Sequence, residues 1–181
     1  MYSSEKIIEH TKKWISDVII ACRFCPFAAQ VVRQQQVYFA VETGVDSDSS
    51  LDAVVRELTR LDNDSTIETS FLIFPYNFSQ FDDFLELVWL AERVLKQNGY
   101  VGIYQLASFH PLYLFANSDE HDAANYTNRS VYPMLHFLRE ASIDKVLEHY
   151  KDPENIPAAN IDFARKKGLI SMKILRDTCL Y

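Results

Sequence analysis

At 181 residues, with 18 Lys+Arg against 25 Asp+Glu, the chain fits one domain able to bury about two-thirds of the surface its unfolded form exposes. Its net charge of -7 repels phosphate backbones and argues against nucleic acid as a partner. No apolar run reaches the roughly 18 residues of a membrane span, and Met1 to Lys6 lacks the basic and apolar segments of a secretion signal, so a cytoplasmic protein with no membrane partner is expected.

The three cysteines, Cys22, Cys25 and Cys179, are odd in number and fit a reducing compartment. Only four glycines occur, Gly44, Gly99, Gly102 and Gly168, and their spacing matches no phosphate-cradling loop, dinucleotide fingerprint or nucleophile elbow. No cofactor is called for.

From Glu5 to Cys22, Ile7, Ile8, Trp14, Ile15, Val18 and Ile19 recur at helical spacing, with Ser4 placed to cap the start. Cys25 to Val32 reads as a second helix, Cys25 near the cap and Pro26 at the first helical position, where a missing N–H costs nothing. Val37 to Thr43 is a strand by its β-branched and aromatic content. After the acidic loop Asp46 to Ser50, Leu51, Val54, Val55, Leu58 and Leu61 share one helix face.

Thr69 to Phe74 is a near-continuous apolar strand, the pattern of a sheet covered on both faces, and sits centrally. A helix opens at Ser79, with Asp82 three residues on, and closes at Asn98-Gly99; Val101 to Ala107 follows as a third strand. Leu112 to Ala116 reads as a short strand, Val131 to Tyr150 as a long helix and Ala158 to Lys167 as a last helix. Alternating strands and helices predict an α/β fold, a single globular domain over residues 1–181. A small mixed or parallel sheet would carry helices packed on it, with a ferredoxin-like α+β sandwich as the alternative.

Polar chemistry concentrates between Tyr104 and Glu140. Ser108-Phe109-His110-Pro111 lies at the carboxyl end of a strand, where ligands gather in open α/β sheets. Ser130 reads as the cap of the next helix with Pro133 in its first turn, so Arg129 and the free amides there form a candidate grip for an anion, with Asn125 and Asn128 shaping the pocket. The blander alternative leaves Asn128 and Ser130 as caps and Arg129 solvated or paired with Asp122. On that helix Tyr132, His136, Arg139 and Glu140 share a face, which either lines a cleft or is solvated with a His136–Glu140 contact.

His110 and His136 are candidate proton carriers, each either a general base or a ring bonded to backbone, with Asp122 and Glu140 to orient them. His110, His121, Asp122, His136 and Glu140 include metal-ligand types, yet no recognised metal pattern is complete and no metal site is assigned. Cys22-Arg-Phe-Cys25 has C-x-x-C spacing, but a helix precedes it where the redox motif has a strand. Cys22 is read as structural and Cys25 as either a nucleophile or inert.

Cys25-Pro26-Phe27-Ala28, Glu68-Thr69-Ser70-Phe71-Leu72, Gln105 to Pro111 and Asn125 to His136 together resemble an uncharacterised bacterial domain-of-unknown-function family (DUF1415), over essentially the whole chain. Ser70, Val131 and Cys22 depart from the family pattern, which weighs against a Cys22–Cys25 redox pair. The resemblance implies no activity, cofactor or partner.

The residues themselves suggest a small soluble enzyme acting on an anionic small molecule. Cys25, His110, Asp122, His136 and Glu140 are its candidate catalytic groups, and Asn125, Asn128, Arg129, Ser130, Tyr132 and Arg139 its candidate binding groups. A noncatalytic protein-interaction module, and a metal or thiol-redox sensor, are the alternatives; a concave pocket distinguishes the enzyme from the module.

Overall fold

The computed structural model of the protein describes residues 1–181. Four strands, β1 (Val37–Val41), β2 (Thr69–Ile73), β3 (Tyr104–Phe109) and β4 (Met134–Arg139), form one sheet in the order β1-β2-β4-β3. Around it pack α1 (Ser4–Trp14), α2 (Ala28–Arg33), α3 (Ser47–Asn63), α4 (Phe81–Gln97), α5 (Glu140–Leu147), α6 (Ile156–Lys167) and α7 (Leu169–Asp177). β1 and β2 are parallel, while β4 runs antiparallel to both β2 and β3. The result is an α/β domain with a small mixed sheet. The strand order, with its parallel pair at one edge of the sheet, and the cores on both faces separate it from a ferredoxin-like sandwich. No helix is long and apolar enough to cross a membrane.

Successive strand residues face opposite sides of a sheet, so β2 feeds two cores. Phe71 and Ile73 join Met134 against Trp14, Val18, Ala164 and Met172 on one side. Leu72 joins Leu135, Phe137 and Tyr104 against Val54, Leu58, Phe84 and Leu87 of α3 and α4 on the other. Every residue of β2 is buried, which is why it reads as a continuous apolar run. Burying each large side chain contributes about 1.5–3 kcal/mol before entropy is charged.

The first helix does not run through as a regular α-helix. Ser3, not Ser4, caps α1 by accepting from the Lys6 amide, and after Trp14 the chain widens into a π-helix over Ile15–Ile20. The bond from the Ala21 amide to the Ser16 carbonyl spans the five residues that define such a turn. The segment places Ile15 and Ile19 toward the sheet with Trp14.

Four local expectations are corrected. Val131 to Tyr150 is not one helix: β4 occupies Met134–Arg139 and α5 begins only at Glu140. Pro133 stands just before the strand, where its missing N–H breaks no ladder bond, and its carbonyl accepts from the Phe74 amide at 2.9 Å. Leu112 to Ala116 is irregular chain between two turns and forms no strand. Cys25 and Pro26 lie in the turn before α2, which starts at Ala28, and α4 starts at Phe81 with no side-chain cap from Ser79.

Candidate functional site

Because β4 is a strand, His136 points onto the face it shares with Phe71 of β2 and Ala107 of β3, its partners in register. Over that face lies a cavity of about 440 Å³, within the size range of small-molecule sites. Thr69, Phe71, Ala107, Phe109 and His136 floor it from the sheet; Trp14, Ile15 and Ile19 come from the end of α1 and the π-helix. Cys25, Phe27 and Val31 around α2, and Ile156 and Ile161 of α6, close it from above. Gln105, Val32 and Pro157 line the cavity yet are exposed, so they mark its rim. No Lys, Arg, Asp or Glu borders it.

The polar groups on its floor are arranged by one hydroxyl. Thr69 Oγ1 donates to the Phe137 carbonyl at 2.6 Å, and its oxygen lies within hydrogen-bond distance of His136 Nε2. Having one proton, already given to the carbonyl, the hydroxyl can only accept from the ring, so Nε2 carries the imidazole proton and Nδ1 is the bare acceptor. The ring stacks on Phe71 at a centroid distance of 3.9 Å and 9° between planes. Burial pushes the His136 pKa down to about 3, so the ring is uncharged in neutral solution. Asn128, on the wall, spends its amide on the Ser108 carbonyl and its oxygen on the Thr127 hydroxyl.

Cys25 reaches the same cavity. Burial raises its thiol pKa, with the amides of Phe27 and Ala28 pulling weakly the other way, so it is held as the thiol. Cys22 and Cys179 are buried and also raised by desolvation. All three cysteines are free.

Of the residues singled out in the sequence, Cys25, Asn128 and His136 therefore meet at one hollow, and the others lie elsewhere. His110 sits between Phe81 and Phe84 of α4. Its Nε2 donates to the Phe78 carbonyl at 2.8 Å and its Nδ1 accepts from the Leu112 amide at 3.0 Å, which uses both nitrogens of a neutral ring. Phe78 adopts a positive φ of 58°, uncommon for a bulky residue, and the bond from His110 helps hold it there. Burial lowers the His110 pKa.

Arg129 opens no helix. Its Nε donates to the Tyr113 carbonyl at 2.9 Å and its Nη2 to the Glu120 carbonyl at 3.0 Å, with the guanidinium over the Tyr126 ring; it stitches the long loop closed. Asn125 does similar work, accepting from the Phe115 amide and donating to the Asp119 carbonyl. Ser130 is buried and donates to the Tyr132 carbonyl in place of capping a helix.

Tyr132 bonds His10 Nδ1 at 2.7 Å, and burial raises its phenol to about 12. Arg139 projects to the opposite side of the sheet, donating to the carbonyls of Ile67, Leu61 and Asp64 and to the Tyr104 hydroxyl. Asp122 caps a short 3-10 turn and pairs with Arg165, which draws its carboxyl down to about 2. Glu140 opens α5 and does not share a helix with His136. No group of three or more His, Cys, Asp or Glu side chains comes together as metal ligands would.

Thr69, Gln105, Ala107 and Trp14 are the site residues that sequence reading passed over. Thr69 carried a signal, a hydroxyl in an otherwise apolar central strand; the others become visible only once β4 is recognised and the register fixed. No curated protein and no solved structure matches the chain. The model of a family described as a protein of unknown function, DUF1415, matches residues 6–173, and the protein belongs to that family.

Proposed function

We propose that the protein binds a small, uncharged and largely apolar molecule in the cavity between the sheet and the helices α2 and α6. The observation that carries this reading is a hollow of about 440 Å³ with apolar walls, a few polar groups on its floor and no charged side chain on its border, the usual make-up of a small-molecule site. A concave site favours a small guest over a flat docking surface. An anion, the guest suggested by the sequence, would lose its hydration there with no cation to replace it, since Arg129 is bonded elsewhere.

Any chemistry on the guest would fall to Cys25 and His136. A thiol held protonated and a ring held neutral suit binding better than proton transfer near pH 7. A cytoplasmic location belongs to the same reading, supported by three free thiols.

The test pairs two fluorescent probes. N-phenyl-1-naphthylamine is uncharged, and its 8-sulfonate derivative adds one negative charge to the same aromatic frame. The neutral probe is expected to bind one per chain, with its emission enhanced and shifted to the blue, and the sulfonate at least tenfold more weakly. Equal binding of the two, or stronger binding of the sulfonate, overturns the proposal.

A further inference from the structure

The floor of the cavity contains an asymmetry that says what its guest must carry. Three polar side chains on the wall are buried: Thr69, Thr127 and His136. Thr69 gives its proton to the Phe137 carbonyl and accepts from His136. Thr127 shares its single proton within its own loop, between the Ala124 carbonyl and the Asn128 oxygen. His136 is bonded through Nε2 alone; Nδ1 has no partner in the protein. Nor is that nitrogen sealed away: the buried side-chain atom that lacks both partner and access is His10 Nε2, on α1 one turn before Trp14. His136, 8% exposed, thus turns a bare acceptor toward the hollow it lines.

Resting on the small-molecule reading above, we propose that the guest is an apolar molecule bearing a neutral hydrogen-bond donor, an alcohol in the first instance, whose O–H docks on His136 Nδ1. The direction is fixed by the chain of bonds behind the ring. The Phe137 carbonyl commits the Thr69 proton, Thr69 commits the Nε2 proton, and Nδ1 is left to accept. A ketone or ether oxygen meets a lone pair there and is disfavoured; a hydroxyl meets the complement it needs. The stacked Phe71 ring holds the imidazole plane in place, so the acceptor is oriented before the guest arrives, which lowers the ordering cost of binding. A carboxylate offers no donor and finds no cation. The class is therefore a neutral alcohol on a hydrocarbon or aromatic body.

The test uses two isomers of equal composition, 1-octanol and 1-methoxyheptane, which differ in whether the oxygen bears a proton. Trp14 lines the cavity whereas Trp89 is exposed on α4, so in a Trp89→Phe background the emission reports from the site. Both isomers are expected to perturb Trp14, with the alcohol binding about three- to tenfold more tightly, the worth of one neutral hydrogen bond. In His136→Phe the preference disappears while both still bind. In the wild-type protein labelled with 15N-histidine, the His136 Nδ1 resonance moves with the alcohol and stays with the ether, which needs no variant to fold.

Equal affinities together with an unmoved Nδ1 resonance overturn the inference and leave the cavity reading standing. Failure of both isomers to perturb Trp14 overturns the cavity reading and the inference with it.

Discussion

Thr69 and His136 meet across β2 and β4 through a hydroxyl whose single proton is already committed to the Phe137 carbonyl, and that commitment sets the tautomer of the ring. Replacing Thr69 by Val keeps the shape of the side chain but removes both bonds. Nε2 is then left without its partner in a dry site and the Phe137 carbonyl keeps only its donor from β2, which costs about 1–3 kcal/mol. Urea denaturation of T69V is expected to show a lower midpoint at unchanged slope. His136, freed to exchange tautomers, should lose part of its discrimination between an alcohol and an ether.

Acid should weaken the fold through the histidines before it reaches the carboxylates. His136 has a pKa of about 3 when folded against about 6.5 unfolded. Between those values the unfolded chain takes up a proton that the native ring refuses. Its contribution is complete above about pH 6.5 and drains away as pH falls toward 3, by on the order of 5 kcal/mol in all. His110 and His10 are shifted in the same direction by burial. Protonating His110 would also set an N–H against the Leu112 amide that its Nδ1 now accepts. Asp122, with its carboxyl drawn to about 2 by Arg165, adds a smaller loss confined to below about pH 4. Chemical denaturation at pH 7, 5.5 and 4 is expected to show a steady fall, and His136→Gln should flatten it; a wild-type curve level across that range contradicts the assignment.

Filling the hollow separates binding from folding. Ala107 lies beside His136 in register and lines the cavity, so Ala107→Leu places three more carbon atoms in space the native side chains leave open. Stability is expected to change by no more than about 1.5 kcal/mol, while N-phenyl-1-naphthylamine loses at least tenfold in affinity by titration. Undiminished probe binding would place the guest elsewhere.

The two arginines should behave as structural fasteners. Arg139→Met strips donors from the carbonyls of Ile67, Leu61 and Asp64 and is expected to cost about 2–4 kcal/mol in denaturation. Arg129→Ala releases the carbonyls of Tyr113 and Glu120 and should cost about 1–3 kcal/mol. Neither change should alter the affinity of the neutral probe at a temperature where the variant is folded. A loss of binding in folded R129A would restore that arginine to the site.

Much of the architecture could be read from the chain because the relevant segments speak with one voice. The stripe of Leu51, Val54, Leu58 and Leu61 has only a helical solution, and the run from Thr69 to Phe74 has only a buried-strand one. Residues 131–139 speak with two. Leu135 and Leu138 fit helical spacing, Met, Leu and Arg favour helices, and Ser130 with Pro133 mimics a helix start. Tertiary pairing overrides all of it, because a strand closed on both sides by β2 and β3 needs no alternation and shows none. That single misreading carried His136 onto the wrong surface, with Tyr132, Arg139 and Glu140 as false neighbours. The richest polar stretch misled for a related reason: Asn125, Arg129 and Ser130 are polar because a long loop packed against the body must satisfy its own carbonyls and amides, not because they attend a guest.

The order β1-β2-β4-β3 also bears on how the molecule comes into being. β2 and β3 leave a gap that only a later segment can occupy, so during synthesis each waits with a bare hydrogen-bonding edge until residue 139 has left the ribosome. Such edges invite pairing with other nascent chains. A fragment ending before Met134 is therefore not a smaller version of this protein but a half-open clasp, prone to fasten onto its neighbours.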